Sequence, residues 1–314
     1  MTTIKDPLES IASVIPKTLR YHLMNAMRDI SHKVQEIILR TQKPLCVSLS
    51  GEQYVVTKRG TLSRDVTVSD AVVSSENDVT ECFNNICNYS VYSHLNEIKE
   101  GFITLKGGHR AGISGTAVVS GESIINIRDI STVSIRVARE IKGVGEKFAE
   151  MLLNSEGGIL LCGAPVSGKT TLLRDIARLV SVKYYQRASI IDTRGELAAV
   201  SRGVPQNDIG LCDVLNGYPR YEGITQALRC LSPQYIFCDE IGNVNDAEAL
   251  IKGINSGVKF VATVHAGDEN ELKAKPFVRD ILSTGAFSRI IFLKGREAPC
   301  TVRNEFTVEE LIRG

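Results

Sequence analysis

The chain has 314 residues, 43% hydrophobic and 23% charged, a composition ordinary for a globular protein with a sizeable core. Its 37 Lys and Arg nearly cancel 36 Asp and Glu, so no global field draws it to nucleic acid or to an anionic membrane. The length exceeds that of one core and predicts two domains. No run approaches the roughly 18 apolar residues that suggest a membrane-spanning helix, and the opening MTTIKDPLESIASVIPK lacks the basic-then-apolar order of a secretory leader. The eight cysteines include no C-x-x-C pair and read as reduced thiols of a cytoplasmic protein, without structural zinc.

In chain order, KTLRYHLMNAMRDI places Leu19, Leu23, Met27 and Ile30 at helical spacing. VQEIILR and KPLCVSL read as strands, and DVTECFNNICNYSVYSHLNEIKEG as a helical segment ending at Gly101. FITLKGGHRAGISGTAVVSGESIINIRD and STVSIRVARE are short β-rich pieces. They predict an antiparallel sheet or meander whose glycines mark bulges or close backbone approach. From about residue 143 the rhythm changes: GILLCG, ASIIDT, QYIFCDE, KFVATVHA and SRIIFL are apolar strands. They alternate with the helices GKTTLLRDIARLV, GITQALRCLS and NDAEALIKGINSG. Such alternation predicts parallel β-α-β units in a sheet covered on both faces. The expected division is a smaller α+β domain over residues 1–135 and an α/β domain over 136–314.

Within the second domain, GAPVSGKTT fits G-x-x-x-x-G-K-[ST] and lies between a strand and a helix. The free amides of that helix start, the Lys169 ammonium and the loop backbone suit a nucleotide's phosphates. The predicted nucleotide-binding residues are Gly163, Ala164, Pro165, Val166, Ser167, Gly168, Lys169, Thr170 and Thr171. Lys169 is expected to reach the β- and γ-phosphates, and the Thr170 hydroxyl to ligate Mg²⁺. Val166 is β-branched and resists positive φ, so an ordinary backbone conformation is expected there.

YIFCDE ends an apolar strand in two acids: Asp239 is expected in the Mg²⁺ shell and Glu240 beside the attacking water. ATVHAGD offers His265 at another strand end, where it can hydrogen-bond across to the glutamate. IIDTRGE contains D-x-x-G, but no N-K-x-D element for guanine accompanies it, which favours ATP over GTP. Asp192 and Glu196 are instead expected to form an acidic strand end facing the pocket. Arg110, Arg128, Arg136 and Arg139 precede this domain. Arg110 or Arg128 is the expected source of transition-state charge for a nucleotide held by a neighbouring subunit.

With these residues in view, the chain resembles the stage III sporulation protein AA family of endospore-forming bacteria, relatives of the type II and type IV secretion and pilus ATPases. The resemblance rests on EIILRTQKPL, GGHRAGISGTAVV…INIRDISTVSIRVARE, GAPVSGKTTLLRD, IIDTRGELA, LSPQYIFCDEIGNVNDAEAL and ATVHAGD. It implies an α/β, RecA-like P-loop ATPase core with a smaller N-terminal α+β domain, using ATP and Mg²⁺. Asp192–Glu196, Asp239–Glu240 and His265 then match the aspartate box, Walker B and histidine box, which makes Glu196 and His265 catalytic candidates beside Lys169 and Glu240.

The resemblance further implies a homo-oligomeric, hexameric ring on the cytoplasmic side of a sporulation channel between mother cell and forespore. The channel's integral membrane proteins would be its partners, and nucleic acid would have no part. Val166 departs from the family's loop glycine, and Ile38 stands where an arginine with a surface contact is expected. Two other classes compete: a RecA-like nucleic-acid motor, disfavoured by balanced charge and no aromatic–basic surface, and a nucleotide-gated scaffold with marginal hydrolysis.

Overall fold

A computed structural model describes residues 7–313 except Glu100, Glu122, Arg139, Glu140, Arg202 and Asn243; the candidate Arg139 therefore lies outside the described residues. The chain separates into two compact units that divide between residues 139 and 140.

The N-terminal unit is an antiparallel seven-stranded sheet. Its order is Leu62–Ser63, Glu52–Val56, Cys46–Leu49, Val34–Arg40, Ser123–Arg136, Arg110–Ser120 and Phe102–Thr104. Helices Lys17–Met27 and Glu76–Ile86 contribute Leu19, Leu23, Met27, Val79 and Phe83 to one core, together with Val34, Ile37 and Leu39 of the central strand. Side chains alternate across a strand, so Ile38 faces the other way and packs in a small cluster with Cys46 and Val55. It is 3% exposed. The surface contact expected at this position is replaced by a buried apolar one. The segment predicted as one long helical stretch breaks after Ile86 and resumes at Leu95–Lys99. The turn between them holds Asn88 and Tyr89 at positive φ, which a helix cannot include.

The expected bulges are present. Pairing between Arg110–Ser120 and Ser123–Arg136 shifts register between Ser114 and Thr116, around Gly115, and again between Val118 and Val119. The flanking strands pair only with the near end of this hairpin, at Arg110–Gly112 and Thr132–Arg136. Beyond that the hairpin runs on as a two-stranded ribbon.

The C-terminal unit contains the predicted parallel sheet, in the order Asp213–Asn216, Ala188–Asp192, Tyr235–Cys238, Lys259–His265, Gly158–Gly163, Phe287–Leu293 and Val302–Thr307. Only the last pairing is antiparallel. Continuous apolar strands arise because both faces are covered. Ile159 and Leu161 enter one core with Leu172, Ile176 and Val180 of helix Lys169–Val182. Leu160 and Cys162 enter the other with Ile224, Ala227 and Leu250 of helices Arg220–Cys230 and Val244–Asn255. Among the described residues no helix is long and apolar enough to cross a membrane.

Candidate functional site

Register assembles the site. Gly163, the last residue of its strand, pairs with His265, and Cys238 pairs with Ala262. Three strands therefore end side by side, with Asp239 next to Thr263 and His265 next to the glycine-rich loop. Ligands of open α/β sheets bind at such carboxyl ends. The resulting cleft of about 490 Å³ is lined by Pro165 to Thr171, Arg194, Glu196, Asp239, Glu240, His265 and Pro299.

The loop's glycines are required by its tightness. A Cβ on Gly163 would lie 2.4 Å from Ser167 Oγ, and Gly168, at φ +88°, would drive one to 2.5 Å from Cys300 Sγ. The expectation for Val166 is overturned: it sits at φ +66°, 68% exposed. The backbone on both sides of it is fixed. Lys169 Nζ donates to the Gly163 and Ala164 carbonyls at 2.7 and 3.0 Å, and the Cys300 amide donates to the Ser167 carbonyl at 2.8 Å. Loop closure thus imposes a left-handed conformation that a β-branched residue disfavours by about 1–2 kcal/mol.

Lys169 is buried, and desolvation pulls its ammonium below the ordinary lysine pKa against the opposing attraction of Asp239 and Glu240. Its Nζ also lies 3.4 Å from His265 Nδ1. An ammonium only donates, so Nδ1 accepts and Nε2 carries the proton. Nε2 in turn lies 2.5 Å from Glu240 Oε1, while the Arg194 guanidinium pairs with Oε2. Lys169, His265, Glu240 and Arg194 thus form one continuous polar line along the cleft.

Asp239 sits beneath this line. Thr170 Oγ1 donates to its Oδ2 at 3.0 Å, and the Thr263 hydroxyl donates to Oδ1. Glu240 is held at φ +53°, its amide donating to Thr263 Oγ1 at 2.8 Å. Behind them one terminal nitrogen of Arg220 donates to the Asp239 and Glu240 carbonyls, both at 2.7 Å, and the other to both Asp246 carboxylate oxygens at 3.0 Å. Asp246 also accepts from the Gly242 amide at 2.8 Å. This buried brace fixes the backbone that carries the two acids.

Asp192 does not face the cleft as expected. It is 1% exposed and accepts from the Glu196 and Ala198 amides at 2.9 and 2.8 Å. Burial raises its pKa, and those amides oppose the shift. The polar amides of the turn after the strand need an acceptor, and Asp192 supplies it, leaving Glu196 on the cleft wall. Gly163 and Ala164 act through the carbonyls that hold Lys169. Arg110 and Arg128 belong to the N-terminal sheet: Arg110 stacks on Phe102, 4.9 Å from the ring centre, and Arg128 pairs with Asp129 at 3.5 Å. Arg136 lies directly across the strands from Arg110.

Sequence reasoning missed Thr263, Arg194, Cys300 and the Arg220–Asp246 pair. Thr263 had a signal, since residues two apart on a strand share a face and His265 already pointed to the cleft.

The parallel sheet, its strand-to-helix loop and the acids at the neighbouring strand end define an α/β, RecA-like P-loop ATPase core, and a smaller α+β unit precedes it in the chain. Solved structures share this fold. The ATPase DotB of Yersinia pseudotuberculosis matches at TM-score 0.55 and 16% identity, over 96% of this chain and 83% of that one. The pilus retraction motor PilT, solved with bound ADP, matches at TM-score 0.53 and 16% identity, over 86% and 77%. The family model described as "Sporulation stage III, protein AA" matches residues 5–310, and the chain belongs to that family. Stage III sporulation protein AA of Bacillus subtilis (strain 168) is 30% identical over 301 residues, covering 94% of each chain.

Proposed function

We propose that this chain binds Mg·ATP in the cleft and hydrolyses it as a secretion-type motor. It would work as a homo-oligomeric, hexameric ring on the cytoplasmic side of a sporulation channel between mother cell and forespore, docked through the channel's integral membrane proteins. The observation that carries the reading is the convergence of Lys169, Thr170, Asp239, Glu240 and His265 on one cleft at the start of helix Lys169–Val182. The donor set suits the ligand. Free amides of a helix start and a lysine meet phosphates, and a hydroxyl beside a carboxylate suits Mg²⁺, which takes most of its remaining shell from phosphate and water.

When bound, Mg²⁺ neutralises charge developing on the phosphate oxygens. Lys169, which donates to the loop carbonyls in this structure, would reach the β- and γ-phosphates, and Thr170 and Asp239 would hold the ion. Glu240 accepts the proton of the attacking water, and His265, donating through Nε2, orients that carboxylate. Glu196 stands on the same wall. Arg110 and Arg128 are the candidates for charge supplied to a neighbour's nucleotide.

The test is phosphate release by wild type, Lys169→Ala and Glu240→Gln, run alongside light scattering with and without ATP. The reading expects turnover by a wild-type oligomer, loss of nucleotide binding in the alanine variant, and binding without turnover in the glutamine variant. Wild-type phosphate release that both variants match would refute it. A second arm replaces Arg110 and Arg128 with alanine; unchanged turnover in the assembled protein would remove them from the mechanism.

A further inference from the structure

Arg194 has no part in the reading above, yet its guanidinium occupies one oxygen of the proposed base while His265 occupies the other. Its mounting is stiff. Asp192 accepts two amides of the turn. Arg174, from helix Lys169–Val182, donates to the Leu197 and Glu196 carbonyls at 2.7 and 2.8 Å, and Asn207 Nδ2 donates to the Leu197 carbonyl at 2.8 Å. The Arg194 side chain itself is 68% exposed. An exposed side chain on a fixed backbone can exchange one anionic partner for another within reach without moving the backbone.

The cleft offers such a rival. A terminal phosphoryl group lying between Lys169 and Glu240 would compete with the Glu240 carboxylate for this guanidinium. Arg is suited to the exchange because its planar fork matches carboxylate and phosphate alike. We propose that Arg194 is the residue through which the cleft distinguishes a nucleoside triphosphate from a diphosphate. It holds Glu240 in one arrangement and the γ-phosphate in the other, so that binding of the triphosphate releases the base. This rests on the reading of the cleft as a Mg·ATP site. Arg194 is accordingly a positioning and ligand-sensing residue, and no covalent step is assigned to it.

The test measures equilibrium affinity of the full-length protein for Mg·ADP and for a nonhydrolysable Mg·ATP analogue. A charge-assisted hydrogen bond is worth enough for a change of about 10-fold or more. Arg194→Ala should weaken the analogue by about 10-fold and ADP by less than about twofold, with Arg194→Lys in between. Glu240→Gln, which frees the guanidinium, should tighten the analogue several-fold, and adding Arg194→Ala should abolish that gain. Equal weakening of both ligands, or a gain that survives removal of Arg194, overturns the proposal while leaving the nucleotide site intact. If wild type binds neither ligand, or Lys169→Ala binds both as wild type does, the underlying site reading fails instead. Arg194 is exposed, so its replacement should leave the fold intact, and an unchanged thermal melt of both variants checks this.

Discussion

In the C-terminal sheet, strand Gly158–Gly163 is buried along its whole length, whereas in Arg110–Ser120 of the N-terminal sheet only Ala111 and Ile113 are buried. The first strand sits between two helical layers and ends in the cleft. The second leaves strand Phe102–Thr104 after Gly112 and continues in a ribbon with Ser123–Arg136 alone, with Val119, Ile124 and Ile125 exposed. The contrast shows where each unit concentrates its polar chemistry. The C-terminal unit puts its charges at the carboxyl ends of a rigid sheet, holding strained residues such as Glu240 by buried partners. The N-terminal unit places buried polar groups at element ends instead, as in the Ser75–Asp78 cap, to which the Thr18 hydroxyl also donates.

If that contrast is right, changes at the strand ends carry the largest penalties. Glu240→Gln should lower turnover by roughly 10²- to 10⁴-fold, the range of a lost general base, while nucleotide still binds. Arg220→Ala should come next. Asp246, with its side chain 2% exposed, would be left buried without its cation at a loss of about 3–5 kcal/mol, read from urea unfolding. Turnover of whatever fraction stays folded should fall as well, because the same guanidinium holds the Glu240 carbonyl.

The N-terminal unit should respond on a smaller scale. Asp78 is partly opposed by burial, but the Ser75 and Thr18 hydroxyls and the Ser75 amide hold its carboxyl below the ordinary aspartate pKa. A depressed folded pKa means stabilisation present above about pH 4 and lost as pH falls through the lower folded value. Asp78→Asn should therefore cost about 1 kcal/mol at neutral pH, the scale of a helix cap, and flatten the acid limb of the stability curve. Val166→Gly should act in the opposite direction. Relief of the left-handed strain, less glycine's entropy, predicts a gain of at most about 1 kcal/mol by thermal melting. Smallest of all, polar replacements at Val119 and Ile124 should leave the melt of the isolated chain within about 0.5 kcal/mol. A larger loss would mean that the ribbon is packed, and the contrast would fail.

The two sheets also differ in how far they could be read in advance. Parallel strands such as Gly158–Gly163 and Tyr235–Cys238 are legible because burial on both faces demands unbroken apolar runs. The edge strands Asp213–Asn216 and Val302–Thr307 were not, since DVLN and VRNEFT show neither such a run nor clean alternation. In the cleft, Lys169, Thr170, Asp239, Glu240 and His265 were marked by spacing to a strand end. Arg220 and Asp246 stand 26 residues apart, and Cys300 meets Gly168 across 132, so only the fold could join them. The orientation of Asp192 was misread for a related reason: an acid at a strand end can face a ligand or brace its own turn, and the amides that decide this are set by the turn.

The most direct trial of the account is a structure of the protein with Mg²⁺ and a nonhydrolysable ATP analogue. The account predicts the Lys169 ammonium on the β- and γ-phosphates, Thr170 and Asp239 at the ion, and the Glu240 carboxylate facing the γ-phosphorus. An analogue bound away from the Gly163–Thr171 loop, or a Glu240 carboxylate turned from the phosphate, would contradict it.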